Sequence, residues 1–140
     1  MEGIAWEHFE HEADMGLRAV APTREGMFEG IAEALTAVIT DLERVQPVQA
    51  VSIVCEAPDD ALLLVDWLNA LIYEMATRRM LFRRFRVTLD DHKLDAIAEG
   101  EPVDRERHQP AVEVKGATYT ALSVERDADG HWSGQCVVDV

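Results

Sequence analysis

Apolar residues alternate with polar ones over Ile4, Trp6 and Phe9, which predicts a first strand ending near Phe9-Glu10-His11-Glu12-Ala13-Asp14. A second strand is expected over Gly16 to Ala21, with Asp14, Met15 and Gly16 supplying the turn between them. After Pro22 the period changes. Met27, Phe28, Ile31, Leu35, Val38, Ile39 and Leu42 recur at helical spacing, with Thr23 placed as N-cap and Glu25 in the first turn. Gly26 and Gly30 each cost this helix about 1 kcal/mol relative to alanine, a cost usually accepted where another element packs closely.

Val48 to Ala57 is rich in β-branched residues and reads as a strand. Pro58-Asp59-Asp60 opens a second helix, with proline near the first helical position and two acids at the positive end of the dipole. Leu63, Trp67, Leu71 and Met75 form one apolar stripe and Leu64, Leu68 and Ile72 another beside it, so this helix should be covered on more than one side. Strands are expected over Leu81 to Leu89 and Lys93 to Glu101 around the turn-like Asp90-Asp91-His92, then a polar stretch from Pro102 to Pro110. The last unit is a hairpin of Val112 to Asp127 and His131 to Val140, closed at Asp127-Ala128-Asp129-Gly130. Two main helices interrupting antiparallel strands predict an α+β fold, a single compact domain over residues 1–140 with the helices packed on β-sheet layers. No internal repeat or low-complexity linker divides it.

Composition narrows the function classes. The 48% hydrophobic and 29% charged content is that of a globular protein, and no apolar run reaches the roughly 20 residues of a membrane helix. The N-terminal segment lacks the pattern of a secretory signal or a transit peptide, so a cytoplasmic location is expected. Cys55 and Cys136 lie in apolar strand-like runs, which suits buried reduced thiols better than a redox or zinc motif. The formal net charge of -14 disfavours direct binding to a phosphate backbone and favours a basic partner or cations. A local exception is the basic island of Arg83, Arg84 and Arg86, which could touch RNA or a protein partner, or form the solvated face of a strand.

The usual nucleotide cradles and the α/β-hydrolase nucleophile motif are absent. Asp127 to Gly130 starts like a calcium loop, but the twelfth position holds Val138 instead of a bidentate acid, so it reads as a turn. His8 and His11, three apart on a strand, point to opposite faces, so a shared zinc ion is not expected. The acids make a better constellation. If the strands at the two ends of the chain meet, Asp14, Asp139 and the α-carboxylate of Val140 bring about three negative charges to one point. Oxygen donors of this kind favour calcium, magnesium or manganese over zinc.

Four segments also carry a family resemblance: His11-Glu12-Ala13-Asp14-Met15-Gly16-Leu17, Leu63-Leu64-Val65-Asp66-Trp67-Leu68-Asn69, Val114-Lys115-Gly116-Ala117-Thr118-Tyr119 and the final Asp139-Val140. In order and spacing the sequence resembles the archease family along nearly its whole length. The family usually has threonine at Glu12, larger residues near Gly116 and Ala117, and often histidine at Thr120. The resemblance implies a fold of helices layered with antiparallel sheets. It also implies a non-catalytic protein cofactor of the RtcB-type RNA ligase of tRNA splicing and RNA repair, one that promotes GTP-dependent guanylylation of the ligase and its multiple turnover. RNA would then be met only through the ligase. The resemblance further implies a metal site at Asp14, Asp139 and Val140, with calcium the usual ion, and a functional requirement for Lys115. Lys115 would contact a phosphate or a ligase carboxylate, or neutralise acids within the monomer. Two other readings stand beside this one: a stand-alone metal-dependent hydrolase using Asp14 and Asp139 with His11 as base, and a chaperone-like module with an exposed apolar patch.

Overall fold

In the computed structural model, which describes residues 3–140, the N-terminal alternation becomes a hairpin of β1 (Ala5–His11) and β2 (Asp14–Ala21). Met1 and Glu2 of the expected domain lie outside the described residues. The turn is Glu12-Ala13, earlier than the sequence suggests. Glu12 adopts φ +55° and closes a two-residue loop, which leaves Asp14 and Met15 to pair with His11 and Glu10. α1 (Arg24–Ile39) begins at Thr23, whose hydroxyl accepts the Gly26 N–H, and Leu42 falls beyond it in a short 3-10 turn, Leu42–Arg44. A Cβ on Gly30 would sit 2.7 Å from Ile4 and one on Gly26 3.1 Å from Ala21, so the two glycines seat the helix directly on the hairpin.

β3 (Gln49–Glu56) leads into α2 (Asp60–Arg78), and β4 (Met80–Asp90) and β5 (Lys93–Pro102) follow. Asp59 is the residue that opens α2, accepting the Leu62 N–H at 2.8 Å, with Pro58 just outside. Both apolar stripes of α2 are buried except at Met75, which is half-buried. The polar stretch after Pro102 contains one helical turn, α3 (Arg105–His108).

The long strand expected from Val112 to Asp127 is broken. β6 (Gly116–Ala117) and β7 (Ser123–Arg126) both pair along β8 (Trp132–Asp139), and residues 118–122 leave the sheet, with Ala121 at φ +53°. Thr118 explains the break. Its N–H and its hydroxyl both reach the Val137 carbonyl, and the Thr120 N–H turns back onto that hydroxyl, a local bond that competes with the ladder. The turn at Asp127 to Gly130 is as expected, with the Asp127 carboxylate accepting the N–H groups of Asp129 and His131.

One sheet runs β1-β2-β8-β6 with β7 also on β8, and the other runs β3-β5-β4. All pairings are antiparallel, and residues of both sheets and both long helices share one buried cluster, the expected α+β architecture. Trp67 ties the layers together: it is fully buried, its indole N–H donates to the Phe28 carbonyl at 3.0 Å, and its ring meets Phe85 edge-on. α1 also covers the free edge of β4. The Thr36 hydroxyl donates to the Phe82 carbonyl at 2.7 Å, and the Glu29 carboxylate accepts the Val87 N–H at 2.9 Å. No helix is long and apolar enough to cross a membrane among the described residues.

Candidate functional site

β2 and β8 lie side by side in the middle of the first sheet. β8 pairs with β2 up to Met15 opposite Val138, and one step further the same register sets Asp14 opposite Asp139. On the other side of β8, Gly116 pairs with Asp139, and the Lys115 N–H donates to the Asp139 carbonyl at 2.8 Å. Three adjacent strands thus bring Asp14, Asp139, Val140 and Lys115 to one end of the sheet.

Strand alternation decides which way these residues face. Leu17, Ala19 and Ala21 of β2 and Cys136 and Val138 of β8 lie on the core side, with little or no exposure. Asp14 and Asp139 therefore share the outer face, where Arg18 also bonds Gln135 across the same two strands. Val140 packs its side chain against the core, which anchors the last residue. Neither aspartate nor Lys115 makes an ion pair or a side-chain hydrogen bond among the described residues. Asp14 is half-buried, and Asp139 and Lys115 are exposed.

The donor set is all oxygen and all anionic, which fits a hard divalent cation. Among the described residues no three His, Cys, Asp or Glu side chains form a metal-binding group. The histidines stay apart, as their spacing requires. His8 Nε2 lies 2.8 Å from the Ala34 carbonyl, while His11 pairs with Asp14 at the hairpin end. The arginine island is on the second sheet, away from Asp14. Arg83 reaches the Val45 carbonyl, Arg86 approaches Glu99, and Arg84 is exposed.

Sequence reasoning missed a buried charge cluster. Glu101 accepts Arg107 through two short bonds of 2.6 and 2.7 Å, the Gln46 N–H at 2.6 Å and His108 Nε2 at 2.9 Å. The Asp104 N–H donates to His108 Nδ1, so the ring proton sits on Nε2 and points at Glu101. The Arg107 bonds hold the Glu101 carboxyl at about 2, well below the usual range. A run rich in both signs of charge carries no hint of which partners meet. Nearby, a cleft of about 990 Å³ lies between the end of α2 and the segment after β5, lined by Ile39, Ile72, Arg79, Val103 and Val112 among others. Cys55 and Cys136 are buried free thiols, as expected, and burial pushes both up to about 11.

Comparison with known proteins bears on the family and the fold. The family model described as "Archease protein family (MTH1598/TM1083)" matches residues 6–140. The chain belongs to the archease family. Protein archease of Methanopyrus kandleri is 40% identical, with 98% of this chain and 100% of that protein covered. Protein archease of Pyrococcus abyssi is 36% identical over 96% of this chain and 98% of its own length. The solution structure of Methanobacterium thermoautotrophicum protein 1598 superposes with a TM-score of 0.78 at 32% identity, covering all of both chains. Archease membership thus accounts for the helix-and-antiparallel-sheet fold over the full described length.

Proposed function

We propose that this archease activates an RtcB-type RNA ligase as a non-catalytic protein cofactor, promoting its GTP-dependent guanylylation and multiple turnover in tRNA splicing and RNA repair. The site of action is the end of the first sheet, where Asp14, Asp139 and the Val140 α-carboxylate hold a divalent cation, calcium, manganese or magnesium. One observation carries the reading: three adjacent strands converge there with unpaired carboxylates and one unpaired lysine. Carboxylates crowded on one face repel one another unless a cation or a proton neutralises them.

A bound cation would supply positive charge that stabilises phosphate oxygens at the ligase's nucleotide pocket. The residues of this chain do the positioning. Asp14 and Asp139 are presented by paired strands, and the half-buried Val140 side chain, packed against the core, steadies the terminal carboxylate. Lys115, beside Asp139, contacts a phosphate or a ligase carboxylate. With a net charge of -14 the whole body is steered toward the basic surface of an enzyme that grips RNA and GTP. RNA is reached only through the ligase.

The test is turnover of an RtcB-type ligase on broken RNA with GTP, with and without this protein. More than one product per ligase only in its presence is the expected result. Unchanged turnover would sink the proposal, and phosphoester hydrolysis by this protein alone would favour a metal-dependent hydrolase instead. The site itself is tested by adding residues after Val140, which turns the terminal carboxylate into a neutral amide. Calcium or manganese affinity should fall in that variant and persist in one tagged at the N-terminus. Equal affinity in both would remove Val140 from the site.

A further inference from the structure

We propose that Asn69 is a positioning residue for this cation site, an inference that rests on the cation reading above. β6 is only two residues long, yet it lines the end of β8. The Lys115 N–H bonds the Asp139 carbonyl at 2.8 Å, and the Thr118 N–H bonds the Val137 carbonyl at 2.9 Å. Without β6, the last residues of β8 would be held from one side only, by β2. A strand this short is marginal by itself, because few backbone bonds offset the entropy of ordering it.

Asn69 supplies the missing hold. Its Oδ1 accepts the Ala117 N–H at 2.9 Å across a sequence separation of 48 residues. A Cβ on Gly116 would stand 3.6 Å from the same oxygen, so the amide lies over both residues of β6. The side chain is exposed, but its backbone is rigidly placed, since Trp67 and Leu68 before it are fully buried and Leu71 after it is 1% exposed. A solvent-exposed amide on a helix anchored by the buried Trp67, Leu68 and Leu71 thus clamps the strand that places Lys115 and backs Asp139. Support of this kind, one contact removed from the donors, decides how well a site is preorganised.

The experiment uses the full chain, Mn2+ alone as the probe, and three variants. In Asn69→Ala, exchange of the Ala117 amide hydrogen should quicken and Mn2+ affinity should fall about three- to tenfold, the worth of one ordinary hydrogen bond. The thermal midpoint should move little, because no core contact is lost. Asn69→Asp keeps the acceptor oxygen and should restore both Ala117 protection and Mn2+ affinity. Asn69→Gln displaces the acceptor by one methylene and should resemble alanine, which also serves if the alanine variant folds poorly. Faster Ala117 exchange with unchanged Mn2+ affinity would overturn the inference, and so would unchanged Ala117 protection. If the unmodified protein binds no Mn2+, the cation reading itself fails, and the exchange data still report whether Asn69 holds β6.

Discussion

Replacing Glu101 by glutamine tests the buried charge cluster that fixes the segment between β5 and β6. Glu101 is 7% exposed and its two oxygens take four bonds, from Arg107 twice, Gln46 and His108. Glutamine keeps the shape and one acceptor oxygen, but its NH₂ then faces donors. Breaking a buried pair costs about 3–5 kcal/mol. Arg107 is partly exposed and can turn to water, so we expect a loss of about 2–3 kcal/mol at pH 7, or roughly 6–12 °C in thermal midpoint.

The pH dependence gives a second signature. The folded-state carboxyl titrates at about 2 and its ordinary value is 4.5, so the unfolded chain binds the extra proton between those values. The stabilisation by Glu101 is therefore complete above about pH 5 and is lost as pH falls toward 2. Glutamine has nothing to titrate. Urea unfolding of both proteins at pH 7, 5, 4 and 3, followed by circular dichroism, should show a stability gap that is constant down to about pH 5 and narrows below it. Other acids titrate in both proteins and cancel in the difference. A gap below about 1 kcal/mol at pH 7, or one that persists undiminished at pH 3, would refute the assignment.

Glu29 should behave in the opposite sense. Burial raises its carboxyl above the ordinary value of 4.5, so its ionised form weighs against folding once pH passes that value. Glu29→Gln retains an oxygen for the Val87 N–H and should be the more stable protein at pH 7 by urea unfolding, with the advantage gone below about pH 4.5. Gly100→Ala should destabilise by about 3 kcal/mol in the same measurement. Its Cβ would fall 1.8 Å from the Leu81 carbonyl oxygen, and backbone on the paired strand has no room to yield.

Legibility followed periodicity. Both long helices, the hairpin closed at Asp127 to Gly130, and the strands from Gln49 to Glu56 and from Met80 to Pro102 could be read from apolar spacing and turn residues. The breaks came from local events, one of backbone conformation and one of side-chain bonding. Glu12 in a left-handed conformation moved the first turn, and Thr118 bonded its neighbours and split the expected strand into β6 and β7. Neither event changes hydrophobic pattern, so neither leaves a mark that periodicity can detect.

The candidate site divides the same way. Asp14, Asp139 and Val140 stood out as residues, Lys115 only through the family resemblance, and the failure of His8 and His11 to converge followed from spacing alone. Their assembly depended on strand order. Only the pairing of β2, β8 and β6 sets Asp14 and Lys115 on either side of Asp139, because hydrogen-bonded neighbours in a sheet can be far apart in sequence. Asn69 and the Glu101 cluster belong wholly to the tertiary structure. A polar side chain acquires its role from whichever backbone group or charge the fold carries to it, and that partner lies outside any local window of sequence.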